Sequence, residues 1–293
     1  MLIVLREKAR RTFQFLLVYT ELRFTAFFVY LHGMKVRDII GAIERTAPLR
    51  LQDEWDNSGL QVGFLDGEAS RVLVCLDVTE AIVAEAIERG CELIVSHHPL
   101  IFKALNQVSD TTYQQRCVVK ALAKNIAVYS AHTSLDNAPG GVNHKIAEII
   151  GLQNLQWLLP KEGEDAGSGL IGTLPAPERD FDFLKRLRKS FGVECLRHSE
   201  CNGRTIKTVA LCGGAGAFLM KDAVRKGADC FVTGEFHYHD YFENDGMLLA
   251  ELGHYQSEQY TIDLLTELLK AACPSLEVLK TSINTDPTRY DAR

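Results

Sequence analysis

The chain has 293 residues, of which 46% are hydrophobic and 24% charged, with 22 glycines and 8 prolines. This balance supports a sizeable buried core and excludes collagen, coiled coil and disorder, and the length suits two domains. A net charge of −6 provides no overall basic field for a phosphate backbone, so nucleic acid is not the expected partner.

In residues 1–33, Arg6, Lys8, Arg10, Arg11 and Arg23 outnumber Glu7 and Glu21, against the acidic trend of the rest. The apolar runs 13–19 and 24–31 are separated by Glu21 and Arg23, each is too short to span a membrane, and no small-residue cleavage site follows. The segment reads as an extension ahead of a mis-assigned start, with Met34 the natural first residue. A membrane-surface helix is the alternative. From Met34 an amphipathic helix begins, with Val36, Ile39, Ile40 and Ile43 on one face.

Residues 72–76 read as a buried strand, 80–89 as a helix and 93–96 as a second strand, with Gly90 at the turn between them. The same βαβ order recurs as 209–212, 218–226, Gly227 and 230–233. The copies share Val72/Val209, Cys75/Cys212, Ala86/Ala223, Gly90/Gly227 and Val95/Val232. After each copy an apolar strand (126–129, then 247–252) precedes a histidine with a carboxylate four residues on: His132 and Asp136, His254 and Glu258. The fold expected is α/β, two related domains built on βαβ units: a metal-binding domain of 34–156 plus 246–293, and a second domain of 157–245. The Pro/Gly/acidic stretch 160–168 reads as a linker or exposed loop at the boundary. A strand at 170–173, a helix at 181–191, a strand at 193–198, a helix at 258–272 and a polar tail at 274–293 complete the order. The eight cysteines form no C-x-x-C pair and most sit in apolar runs, as in a reduced cytoplasmic protein.

Parallel sheets hold ligands at the carboxyl ends of their strands, and Ser96-His97-His98-Pro99 lies at such an end. Successive side chains of an extended segment point to opposite sides, so His97 and His98 would serve two ions, or one ion and its surroundings. A pair of surface or capping histidines is the plainer reading of that dipeptide alone. Asp136 reads equally as a ligand or as an Asx turn or cap before a helix at 142–150. His254 and Glu258, at i and i+4, lie on one face of a helical turn and can converge on one ion, or form a solvated helix pair. Together His97, His98, Asp136, His254 and Glu258 give three imidazoles and two carboxylates. That set suits two divalent ions roughly 3.5–4 Å apart, bridged by a carboxylate and a water, with zinc, manganese, iron or cobalt all compatible.

His132 reads as a proton shuttle or as a buried hydrogen-bonded histidine, outside the ligand set. Gly213-Gly214-Ala215-Gly216 is either a phosphate-holding turn or a plain glycine turn, and it lacks the spacing of a nucleotide-binding fingerprint. Glu235, His237 and His239 occupy the strand end corresponding to His98, and Trp55-Asp56-Asn57 reads as a site-lining loop.

The stretch from Trp55 to Gly63, together with Ser96-His97-His98-Pro99, Ser134-Leu135-Asp136, Thr233-Gly234-Glu235 and Gly253-His254-Tyr255-Gln256-Ser257-Glu258, resembles the signatures of the dinuclear-metal-centre hexameric proteins. These are also called NGG-interacting-factor-three-like proteins and GTP cyclohydrolase 1 type 2 homologues. The resemblance runs from Met34 to about residue 290 and leaves the extension outside. It implies metal ligands at His97, His98, Asp136, His254 and Glu258, with Glu258 bridging two ions per subunit. It also implies a toroidal homohexamer whose metal sites face an inner cavity, in the minimal form without an inserted domain. The activity it implies is hydrolysis of a nucleotide or phosphoester. In the family's named reaction, hydroxide on the metal attacks C8 of the guanine ring of GTP, Glu258 is central, and His132 or Glu235 moves protons. The opposing reading is a non-catalytic hexameric metal-binding or metal-handling assembly. Binding of single-stranded nucleic acid through the ring is a third, little supported by the acidic balance.

Overall fold

The computed structural model describes residues 33–289 and residue 291. The extension expected at 1–33 therefore lies outside the described residues, save for Gly33.

The chain opens with strand β1 (Met34–Lys35) and helix α1 (Val36–Thr46), whose Val36, Ile39, Ile40 and Ile43 are buried. Strands β2 (Gly59–Val62), β3 (Glu68–Ala69) and β4 (Arg71–Cys75) lead into α2 (Glu80–Glu88). The Thr79 hydroxyl starts α2 by accepting the Ile82 N–H at 3.3 Å. Strand β5 (Leu93–Ser96), helix α3 (Tyr113–Ala123), strand β6 (Ala127–Ser130) and the single turn α4 (Thr133–Asp136) come next, then α5 (Val142–Ile150). The second half runs through β7 (Gln153–Pro160), β8 (Gly167–Arg179), α6 (Asp180–Phe191), β9 (Arg197–His198) and β10 (Thr205–Cys212). It continues with α7 (Met220–Arg225), β11 (Cys230–Thr233), β12 (Leu248–Glu251), the short α8 (His254–Glu258), α9 (Thr261–Ala272) and β13 (Glu277–Lys280).

Two sheets result. The first has the order β13-β4-β5-β6-β2, parallel except for β2; the second has the order β7-β8-β10-β11-β12-β9, with β10, β11 and β12 parallel. The duplicated βαβ pattern thus corresponds to two parallel trios, β4-β5-β6 and β10-β11-β12. Alternation along each strand sends residues to two cores. In the first sheet Val72, Val74, Val95 and Tyr129 face inward, while Leu73, Cys75, Ile94 and Val128 pack against Ile82, Val83 and Ala121 of the outer helices. Inward residues of the second sheet, among them Val209, Leu211, Val232 and Leu248, join the same inner cluster as those of the first, with side chains of α1, α5, α6 and α9. One core therefore binds both sheets, and truncating a fully buried member such as Ile43 to Ala would cost about 2–5 kcal/mol.

The pairing divides the chain differently from the expected domains. Leu248–Glu251 extends the second sheet beside β11, because a strand after a βαβ unit continues the same parallel sheet, so 246–293 does not go with the first half as one piece. Of the described residues after 246, only β13 returns to the first sheet, where it pairs with β4. That strand lies within the expected polar tail. The stretch 160–168 is a hairpin inside one sheet: Pro160 pairs with Gly167, Lys161 N–H donates to Ala166 O at 2.8 Å, and Gly163 turns the chain at φ +74°. Residues 193–196 are not strand, because Gly192 at φ +64° ends α6 and Val193 N–H bonds back to Arg188 O. The helix expected at 258–272 is α9, which starts three residues later at Thr261, after the separate turn α8. At the start of α6, buried Asp180 accepts the N–H groups of Phe181, Asn202, Gly203 and Arg204 at 2.8–3.2 Å. Burial alone would raise its pKa; the four amides hold it below the usual carboxylate value.

Candidate metal centre

Every expected ligand lies just past the carboxyl end of a strand in one of the two parallel trios. His97 and His98 come after β5, Asp136 closes the turn after β6, and His254 and Glu258 sit on the turn after β12. His97 Nε2 lies 3.6 Å from Glu258 Oε1, which brings the carboxyl edges of the two sheets face to face.

The five groups form two clusters that share Glu258. In the inner cluster, fully buried His97 places Nε2 3.7 Å from Asp136 Oδ1 and 3.6 Å from Glu258 Oε1. In the outer one, His98 Nε2 and His254 Nε2 lie 3.0 and 3.2 Å from Glu258 Oε2. The ligand atoms within each cluster lie inside 4.8 Å of one another, a spacing that could hold a metal ion. His132 makes a third such group with His97 and His98.

The surrounding bonds aim the rings. The Nδ1–H of His97 donates to Ala131 O at 2.9 Å, that of His98 to Asp77 at 2.7 Å, and that of His254 to Glu235 at 2.9 Å. Such bonds leave each Nε2 lone pair turned inward in the neutral ring, as ligation requires. His132 Nδ1 is held by Asp56 at 2.7 Å, and Asp56 also accepts from Ser58 and Thr133.

His97 Nε2 and Asp136 Oδ1 are buried and find no hydrogen-bond partner among the described residues. Orphaned polar atoms of this kind are costly unless an unseen water or ion completes them. The charge balance agrees. Burial pushes Asp136 up to about 7, with the neighbouring Glu258 carboxylate adding to the rise against the pull of His97. Burial would lower His98 and His254, yet the carboxylates bonded to them raise them to about 9 and about 11. Glu258 stays well below the usual range despite burial, because His254, His97 and His98 surround it. These are the shifts of a site whose acidic groups draw in positive charge, and its mixed imidazole and carboxylate donors fit a divalent transition metal.

Two features, Asp77 and Asn143, escaped sequence reading. Asp77 carries no spacing signal and is recognisable only through the register of β4 beside β5. Asn143 donates to Asp136 O at 3.0 Å and accepts Gly213 N–H at 3.0 Å, tying the two strand ends together. The glycine turn is not a phosphate cradle: the amides of Gly213, Gly214 and Gly216 are spent on Asn143, Ser257 and Thr233, and Glu258 rests against the turn. Glu235, expected at the same strand end, orients His254.

The clusters open onto a cavity of about 850 Å³ bounded by Trp55, Phe102, Phe218, Arg197 and the tail around Asp286. Thr285 bonds Asp77 at 2.6 Å and Gln256 bonds Asp286 at 2.7 Å, so the tail closes one wall. The eight cysteines are free, and among the described residues no helix is long and apolar enough to cross a membrane.

Residues 34–287 match the model of a family described as Duf34/NIF3 (NGG1p interacting factor 3). The chain is 34% identical over 263 residues to a GTP cyclohydrolase 1 type 2 homolog of Clostridium perfringens, covering 88% of this chain and 100% of that protein. It is 33% identical to NIF3-like protein 1 of Drosophila melanogaster, over 72% and 73% of the two chains. Among solved structures, Staphylococcus aureus hypothetical protein SA1388 superposes with a TM-score of 0.81 at 28% identity, covering 88% of this chain and 100% of that one. A Bacillus cereus protein related to NIF3 gives 0.79 at 25%, over 88% and 99%.

Proposed function

This chain belongs to the Duf34/NIF3 family, and from that premise we propose that it is a dinuclear-metal-dependent hydrolase acting on a nucleotide or phosphoester. The name borne by its bacterial relatives, GTP cyclohydrolase 1 type 2 homolog, makes GTP ring opening one form of that reaction. The observation that carries the reading is Glu258, whose two oxygens face different clusters, Oε1 toward His97 and Oε2 toward His98 and His254. His97, Asp136 and Glu258 would hold one ion, and His98, His254 and Glu258 a second; zinc, manganese, iron or cobalt suits these donors. Divalent ions bound there supply Lewis-acid polarisation of a substrate oxygen and a water acidified toward neutral pH.

The chain's own residues do the rest. Asp77 and Glu235 fix the rings of His98 and His254. Asp56 holds the Nδ1–H of His132, which leaves His132 Nε2 to take or give a proton on the cavity side. The exposed Tyr238 and Phe242 are surfaces that a toroidal homohexamer would cover, and the eight free thiols suit a cytoplasmic setting.

A second reading, metal handling without catalysis, draws on the outer cluster, where the His254 side chain is 37% exposed and open to exchange. Elemental analysis of protein reconstituted with each metal should find two ions per subunit, and a nucleotide and phosphoester screen should find turnover. Glu258→Gln should lower that turnover by about 10²-fold or more with circular dichroism unchanged. One ion or none in folded protein, or unaltered turnover in Glu258→Gln, would refute the hydrolase reading.

A further inference from the structure

Two large aromatic side chains beside the ligand clusters stand open to the cavity, Trp55 59% exposed and Phe102 47% exposed. They meet edge to face at 5.9 Å, and each meets the His132 ring in the same way, at 6.0 and 6.1 Å. The three rings make a corner, and His132 in turn lies 5.3 Å from the His97 ring and 5.6 Å from that of His98. Exposed aromatic faces in a cavity are stacking platforms for planar rings.

The rest of the cavity is poor in places for phosphate. Arg197 is the one Lys or Arg among the described residues that line it, and its half-exposed guanidinium already donates to Glu251 at 2.6 Å and lies over the Tyr241 ring. Glu251, buried, also accepts from Phe236 N–H and the Tyr241 hydroxyl, so this pair is fixed within the protein. The three glycine amides of the turn are occupied by Asn143, Ser257 and Thr233. Carboxylates of Asp77, Glu235 and Asp286 line the walls between. A polyphosphate chain extending from the clusters would run along the carboxylates of Asp77, Glu235 and Asp286 toward a guanidinium already bonded to Glu251, whereas one phosphate at the clusters would share their ions.

We propose that Trp55 and Phe102 form a ring-binding subsite that seats the heteroaromatic base of a nucleoside monophosphate, with its single phosphate at the His98–Glu258 end of the cavity. This rests on the hydrolase reading and narrows its substrate class to mononucleotides over triphosphates.

The test titrates manganese-loaded protein with GMP, AMP, GTP and ribose 5-phosphate, read by calorimetry and by tryptophan fluorescence. GMP and AMP should bind at least about tenfold tighter than ribose 5-phosphate, GTP should bind no tighter than GMP, and the purine ligands should quench fluorescence. Trp55→Ala should weaken GMP about tenfold and leave ribose 5-phosphate unchanged, and Trp55→Phe should restore most of the loss. Because Trp55 is exposed, folding of the variant should be intact by circular dichroism; Phe102→Ala supplies an independent check with the same expected direction. Tighter binding of GTP than GMP, GMP binding indifferent to both substitutions, or no binding of either purine monophosphate would overturn the proposal. Glu258-dependent hydrolysis of a ringless phosphoester alongside any of those results would leave the hydrolase reading standing. Ring binding without hydrolysis would remove that reading and keep the subsite.

Discussion

A β-carbon at Gly214 would overlap Oε1 of Glu258 and stand 3.2 Å from His254 Nε2, so the glycine is the space into which the shared carboxylate fits. Gly214 also has φ +57°, where a side chain is strained in its own right. Its carbonyl accepts the N–H groups of Gly234 and Glu235, which sets the partner of His254.

Gly214→Ala should therefore displace Glu258 and weaken both ions together. Titration with a metal-sensitive dye against a competing chelator should show both affinities falling by about tenfold or more, with stability reduced by about 1–3 kcal/mol in urea. Wild-type affinity in this variant would mean that Glu258 does not depend on the turn.

Asp77→Asn should act on one cluster. It removes the carboxylate that holds His98 Nδ1 and leaves His97, Asp136 and Ala131 untouched. The expected result is a loss of about 10–100-fold in affinity for one ion and little change in the other. An equal loss at both would mean that the clusters are not separable.

Asn143→Ala breaks a buried tie between the two sheets, leaving Asp136 O and Gly213 N–H without their partner. Loss of about 1–3 kcal/mol of stability is expected from urea denaturation, since buried groups left unpaired bear their full desolvation cost. Asn143→Asp, which keeps the acceptor for Gly213 and loses the donor to Asp136, should separate the two bonds.

Asp180 predicts a pH dependence. Its folded pKa is depressed, so the stability it contributes is complete above the unfolded carboxylate value near pH 4 and is lost as pH falls through the lower folded value. Asp180→Asn should lower the melting temperature at pH 7 and flatten the fall in stability below pH 4. A variant with the wild-type acid profile would show that the four amides do not set this carboxylate.

The trios were legible because their strands are short apolar runs bounded by Gly90 and Gly227, and because His132/Asp136 and His254/Glu258 repeat the same spacing after each. The last strand, β13, was not. Residues 277–280 bury Val278 while their neighbours stay half-exposed or exposed, so no alternation separates an edge strand from a polar tail. The hairpin at 161–166 has the composition of a linker, since tight turns and linkers draw on the same residues. Asp77, Asp56 and Glu235 act on histidines 19 to 76 residues away in sequence, a relation that only strand register brings together.

Strand β13 closes one edge of the first sheet. It pairs with β4 in register from Glu277 against Arg71, and Arg71 reaches Glu277 at 2.7 Å. Without β13, β4 has one open edge, and His97 and His98 follow directly on β5 beside it. The Glu85 carboxylate likewise depends on Ser282, whose N–H reaches it at 2.9 Å. A chain lacking residues 277–282 would keep every strand of the second sheet and leave the first with an open edge, available for pairing with other chains. Truncation ahead of Glu277 should thus yield aggregated rather than merely inactive protein.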